Sequence, residues 1–130
     1  MKTNPSSLEG FIPIMKNMDT IDYCLRGKYP SHTNSDSIHF ILKESDNWQI
    51  KLINWSPGGS SQIHNHPNGG CILMPVSGNL IEKTYNGNKV ETNELIKHSI
   101  YYADGEDYYH KIINPKRFLN IASLHIYFEK

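Results

Sequence analysis

The sequence predicts an all-β sandwich or barrel behind a short helical preface. Two observations carry that reading. From residue 38 onward, short runs rich in β-branched and aromatic residues follow one another to the end of the chain. Clusters of Gly, Pro, Asn, Asp and Ser separate them every several residues, the spacing of strands joined by tight turns.

Residues 1–10 are a polar lead-in. Phe11, Ile12, Ile14, Met15, Met18, Ile21 and Leu25 recur at helical spacing, with Pro13 fitting only a first turn, so one or two short helices are expected over 11–25. Residues 26–37, RGKYPSHTNSDS, read as a loop. The runs 38–42 (IHFIL) and 48–55 (WQIKLINW) read as strands joined through Glu44-Ser45-Asp46-Asn47. In the second run Trp48, Ile50 and Leu52 alternate with Gln49, Lys51, Ile53 and Trp55. Further strands are expected in SQIHNH, GCILMPV, NLIEKTY, NKVETN, HSIYYA, YYHKII and IASLHIYF. Turns are expected at 56–61, at Pro67-Asn68-Gly69-Gly70, Ser77-Gly78-Asn79, Asn86-Gly87-Asn88, Asp104-Gly105-Glu106 and Asn114-Pro115; Asn86-Gly87 is a strong hairpin signal. The organisation expected is one domain, with residues 1–36 packed on a barrel formed by 37–130.

The bulk numbers narrow the function. With 13 Lys+Arg against 13 Asp+Glu, no excess of positive charge favours a nucleic acid. No apolar run approaches the roughly 20 residues of a membrane span, and no signal-peptide pattern opens the chain. Cys24 and Cys71 are too few for a disulfide framework. A cytoplasmic protein, monomeric and without nucleic-acid or membrane partners, is the expectation.

Seven histidines stand out. His64 and His66, two apart in a strand pattern, point to one face and offer two adjacent imidazole ligands to one metal ion. A third ligand must come from another strand. His110, His98, His39, His32 and His125 all qualify by type, and spacing does not choose among them. In so histidine-rich a chain a His-x-His pair is weak evidence by itself.

The motifs taken together are more specific. SPGGSSQIHNH, Cys71 seven residues after His64, GNL.E at 78–82 and SLHIY at 123–127 occur in an order that resembles the cysteine dioxygenases, a thiol dioxygenase branch of the cupin superfamily, over about residues 37–128. The resemblance implies a cupin barrel and a non-haem Fe(II) site held by His64, His66 and His110, oxidising a small thiol with O2 to its sulfinic acid. It implies further that Cys71 and Tyr127 form a thioether beside the metal, and that Ser123 and His125 form a relay orienting the Tyr127 hydroxyl. The family's arginine, which holds the carboxylate of cysteine, has no counterpart. His39 stands at its place, with Ser37 two residues earlier, and the only arginines are Arg26 and Arg117. Either His39 or Arg26 is the substrate-binding residue, with cysteine the default substrate, or the substrate is a different thiol. The chain ends three residues after Tyr127, so a more open pocket than the family's is expected. Two alternatives stay open: a cupin enzyme with another metal and substrate, and a non-catalytic small-molecule-binding cupin.

Overall fold

The structure is a computed structural model that describes residues 8–16 and 30–128. Cys24, Arg26 and most of the expected 11–25 helix lie outside the described residues. What is described there is a 3₁₀ turn, Leu8–Phe11, running into α1, Ile12–Lys16, with Pro13 in its first turn.

Eight strands follow: β1 His32–Thr33, β2 Ser37–Glu44, β3 Trp48–Trp55, β4 His64–Pro75, β5 Leu80–Asn86, β6 Lys89–Leu95, β7 Tyr101–Ile113 and β8 Ile121–Phe128. They form one antiparallel sheet in the order β1-β2-β3-β8-β4-β7-β5-β6. The all-β expectation holds, and β3 and β8 coincide with the runs read from the sequence. The 26–37 loop departs from expectation in one respect. His32–Thr33 pairs with β2, because Asn34 Oδ1 accepts from the backbone N–H of Asp36 and Ser37 and turns the chain into a hairpin.

Two expected turns are not turns. Pro67-Asn68-Gly69-Gly70 and Asp104-Gly105-Glu106 lie inside the long strands β4 and β7. His64 pairs with His110, His66 with Gly105, and Cys71 with Ala103. Residues 106–109 of β7 thus oppose residue 65 alone, and residues 67–70 of β4 oppose residue 104 alone. These paired bulges bend both strands. Gly70, at φ 81°, adopts a backbone conformation that costs an L side chain strain. Beyond the bend β4 pairs with β8, from Cys71↔Tyr127 to Pro75↔Ser123. The far half of β7 pairs with β5. Two strands therefore pass from one half of the sheet to the other and roll it round an interior. The Asn86-Gly87 hairpin forms as expected. Asn86 pairs with Lys89, and Gly87 at φ 61° takes the first loop position.

Alternation along the strands builds two cores. Trp48, Ile50, Leu52, Ile72, Met74, Leu124 and Ile126 pack on the outer face together with Met15 of α1. Ile53, Trp55, Leu73, Leu80, Leu95, Ile112 and Ile121 pack inside the roll. The inner cluster fills one end of the interior, and the other end is left to polar side chains.

Candidate metal centre

That polar end is a cavity of about 630 Å³. His64 and His110 are cross-strand partners, and His66 lies between the two bulges. The three imidazoles converge. His110 Nε2 is 3.1 Å from His64 Nε2 and 3.2 Å from His66 Nε2, and the three ligand atoms lie within 4.8 Å of one another.

The surroundings fix two tautomers. His64 Nδ1 is 2.7 Å from the Gln62 carbonyl oxygen, an acceptor, so Nδ1 carries the proton. His110 Nδ1 is 2.8 Å from Glu82 Oε2 and donates to it. With Nδ1 donating in both rings, the two Nε2 atoms are the ones left to ligate, 3.1 Å apart and facing each other. Nitrogens so close need a proton or a metal ion between them. Two nitrogens at about 2.1 Å from one ion and at right angles would stand about 3 Å apart. The donor set fits a transition metal held on one face, its remaining positions open.

At His66 and His64, protonation does not compete with a metal near neutrality. Burial, then the positive fields of His64 and His110, holds the His66 pKa down to about 4. The His64 pKa is lowered mainly by burial, against the raising effect of its bond to Gln62.

Glu82 is a site residue that the sequence reading did not single out. It is buried on β5, and its Oε2 accepts from His110 Nδ1 and, at 2.9 Å, from Tyr108 Oη. A carboxylate behind a ligating histidine sets the ring's angle and raises its basicity. The available signal was parity: in NLIEKTY, Glu82 shares a face with the fully buried Leu80.

The other expected residues fall as follows. Cys71 and Tyr127 are cross-strand partners on β4 and β8, and both line the cavity. Burial pushes both groups toward their neutral forms, raising the Cys71 thiol and the Tyr127 hydroxyl far above their ordinary pKa values. The Tyr127 ring centroid is 5.5 Å from that of His66.

Trp55 Nε1 donates to Ser123 Oγ at 2.8 Å, which leaves the Ser123 hydroxyl to donate to His125 Nε2 at 2.6 Å. His125 is neutral, its pKa far below the ordinary value chiefly because it is buried. The last step of the expected relay differs. His125 stacks ring against ring on Tyr127, with centroids 6.1 Å apart and planes 14° apart. Residues two apart on one strand lie side by side, which favours stacking over an end-on hydrogen bond.

His39 lines the cavity, with Nε2 3.1 Å from Ser37 Oγ. His98 is remote, on the exposed β6–β7 loop, its N–H donating to the Pro75 carbonyl. A second residue passed over by the sequence reading is Lys51, which enters the cavity from β3 with its Nζ 5.5 Å from the centre of the Tyr127 ring. The alternation in WQIKLINW had already put it on the Ile53–Trp55 face.

Known proteins resemble this chain in sequence and in fold. The model of the family described as Cysteine dioxygenase type I matches residues 40–129. Human cysteine dioxygenase type 1 is 22% identical over 117 residues, covering 84% of this chain and 58% of the relative; its counterpart from Pongo abelii matches equally. The chain thus spans little more than half the length of these relatives. A cupin superfamily protein from Desulfitobacterium hafniense superposes with a TM-score of 0.61 at 14% identity, covering 76% of this chain and 83% of its own. An RmlC-like cupin from Shewanella frigidimarina gives 0.66 at 10% identity, covering 80% and 86%. These likenesses establish the rolled sheet as a cupin.

Proposed function

Since the chain belongs to the cysteine dioxygenase type I family, we propose that it is a non-haem iron dioxygenase that adds both atoms of O2 to the sulfur of a small thiol and releases the sulfinic acid. Cysteine is the default substrate. The observation that carries the proposal is the convergence of three imidazoles on one point of the cavity. His64, His66 and His110 would hold the iron. When bound, Fe(II) would favour the thiolate over the thiol, accept O2 beside it and mediate electron flow between them.

The chain's own groups supply the rest. Glu82 and the Gln62 carbonyl hold His110 and His64 with Nε2 directed inward. Ile53, Leu73 and Ile112 give the cavity apolar walls that limit water at the reacting sulfur. Tyr127, kept protonated by burial, offers a hydrogen-bond donor next to His66. Ser123 and His125 back its ring.

The Cys71↔Tyr127 register supports the thioether reading. Its formation removes the thiol hydrogen and one ring hydrogen, a two-electron oxidation with O2 as acceptor. Intact mass lower by two hydrogens after turnover is the expected sign, and its absence after exhaustive turnover removes this part of the proposal.

The activity is tested by oxygen uptake with a panel of thiols on iron-loaded protein, with the sulfinate identified by mass. Thiol-dependent uptake is expected. Bound iron without thiol-dependent uptake overturns the proposal.

A further inference from the structure

We propose that Lys51 is the anion anchor of the cavity and that the substrate is therefore a small thiol carrying a carboxylate. The thiol half rests on the dioxygenase reading above; the carboxylate half rests on Lys51 alone.

Lys51 lies on the inner face of β3. Its backbone pairs with His125 on one side and with Ile41 on the other. The ammonium stands over the Tyr127 ring, 5.5 Å from its centre, and that ring is 5.5 Å from the His66 ring. The charge is thus at most twice that distance from a metal-ligand ring, within reach of a molecule of a few carbons held at both ends.

Among the described residues Lys51 forms no ion pair; the pairs found are Lys89 with Glu91 and His110 with Glu82. Asp36 is the single carboxylate in the described cavity lining, and its Oδ1 accepts from the Ser60 backbone N–H. Partial burial lowers the Lys51 pKa, against a raising effect from Cys71. A cation withdrawn from water without a partner is unfavourable, and an anionic ligand removes that cost. The ring contact with Tyr127 offsets part of it. Packing alone would be served by an aliphatic residue, as at Ile53 and Leu73 on the same wall.

Among the described residues that line the cavity, Lys51 is the only lysine or arginine. Arg117 is exposed in the loop before β8, and burial keeps His125 neutral. His39 is on the same wall and can add a hydrogen bond to the same carboxylate. A lysine offers a point charge on a flexible stem rather than a guanidinium fork. Such an anchor suits carboxylates at more than one distance from the sulfur.

The test is anaerobic titration calorimetry of the iron-loaded full chain with 3-mercaptopropionate and with its methyl ester, in the wild type, Lys51→Met and Lys51→Arg. The wild type is expected to prefer the acid by about tenfold or more. Lys51→Met should abolish that preference by weakening the acid and not the ester, with iron content unchanged, and Lys51→Arg should retain it. Equal binding of acid and ester by the wild type overturns the proposal, as does an acid preference that survives in Lys51→Met. Loss of iron or of the fold in Lys51→Met leaves the decision to the wild-type acid–ester ratio and to Lys51→Arg. The two readings fail separately. A Lys51-dependent acid preference without thiol-dependent oxygen uptake keeps the anchor and removes the dioxygenase. Oxygen uptake that ignores the carboxylate does the reverse.

Discussion

Strands β3, β4 and β8 carry two unlike surfaces on alternate residues. Outward, Ile50, Leu52, Ile72, Met74, Leu124 and Ile126 form a continuous apolar face against α1. Inward, the same strands present Lys51, Cys71, His125 and Tyr127 to the cavity. Two neighbours in sequence can thus serve opposite ends. Leu124 and Ile126 are interchangeable packing volume, whereas His125 between them is a buried neutral base held by Ser123. The difference teaches that stability and chemistry are separable here at single-residue resolution, because a strand turns each successive side chain to the other face.

That separation can be broken by substitution. The largest effect is expected on the inner side. His64→Ala should remove the metal and with it nearly all turnover, a loss of two orders of magnitude or more, while the fold persists by circular dichroism. Metal analysis and oxygen uptake on the same sample check it. On the outer side, Leu124→Ala should cost about 2–5 kcal/mol of stability and leave metal stoichiometry intact at temperatures where the protein is folded. Denaturant unfolding with metal analysis below the transition would show it.

Glu82→Leu probes the boundary between the two roles. It deprives His110 Nδ1 and Tyr108 Oη of their acceptor. Metal affinity should fall by about 10–100-fold, measured by competition with a chelator. Ser123→Ala should be milder, costing about 1 kcal/mol for the lost hydrogen bonds. Its clearer readout is turnover falling with iron content unchanged.

Acid sharpens the same contrast. The folded-state pKa of His66 is about 4, and those of His64 and His125 are also lowered, against an unfolded value of about 6.5. Below that value the unfolded chain binds more protons than the folded one. The stability of metal-free protein is therefore full above pH ~6.5 and falls as pH drops toward 4. Thermal melts from pH 7.5 to 5 should show a decline of several degrees. Removing an inner histidine should flatten it, and Leu124→Ala should not.

Much of this was legible in the chain. β3 and β8 were readable because β-branched residues alternate between clear turn signals. His64 and His66 were readable as one face by parity. The third ligand was not readable from spacing, which left five histidines equivalent, although the motif resemblance named His110. His110 became one of the three because β7 pairs with β4 in a register that sets it opposite His64. The Pro-Gly and Asp-Gly clusters were visible but ambiguous. Local chemistry marks a departure from regular strand, and only the pairing partner decides whether the departure reverses the chain or bends it. Glu82 and Lys51 sit in ordinary strand patterns whose parity puts them on the inner faces, and parity alone does not tell a buried functional charge from a solvated one.

The sequence by itself therefore determined the period-2 patterning, the positions of most breaks and the chemical identity of the ligands, all properties of residues close together along the chain. The tertiary structure alone decided which side chains share the cavity: His110 with His64 across 46 positions, Trp55 with Ser123 across 68, and Lys51 over Tyr127. The physical reason is that strand register is a property of two segments at once. A shift by one residue would exchange the inner face for the outer one and empty the site.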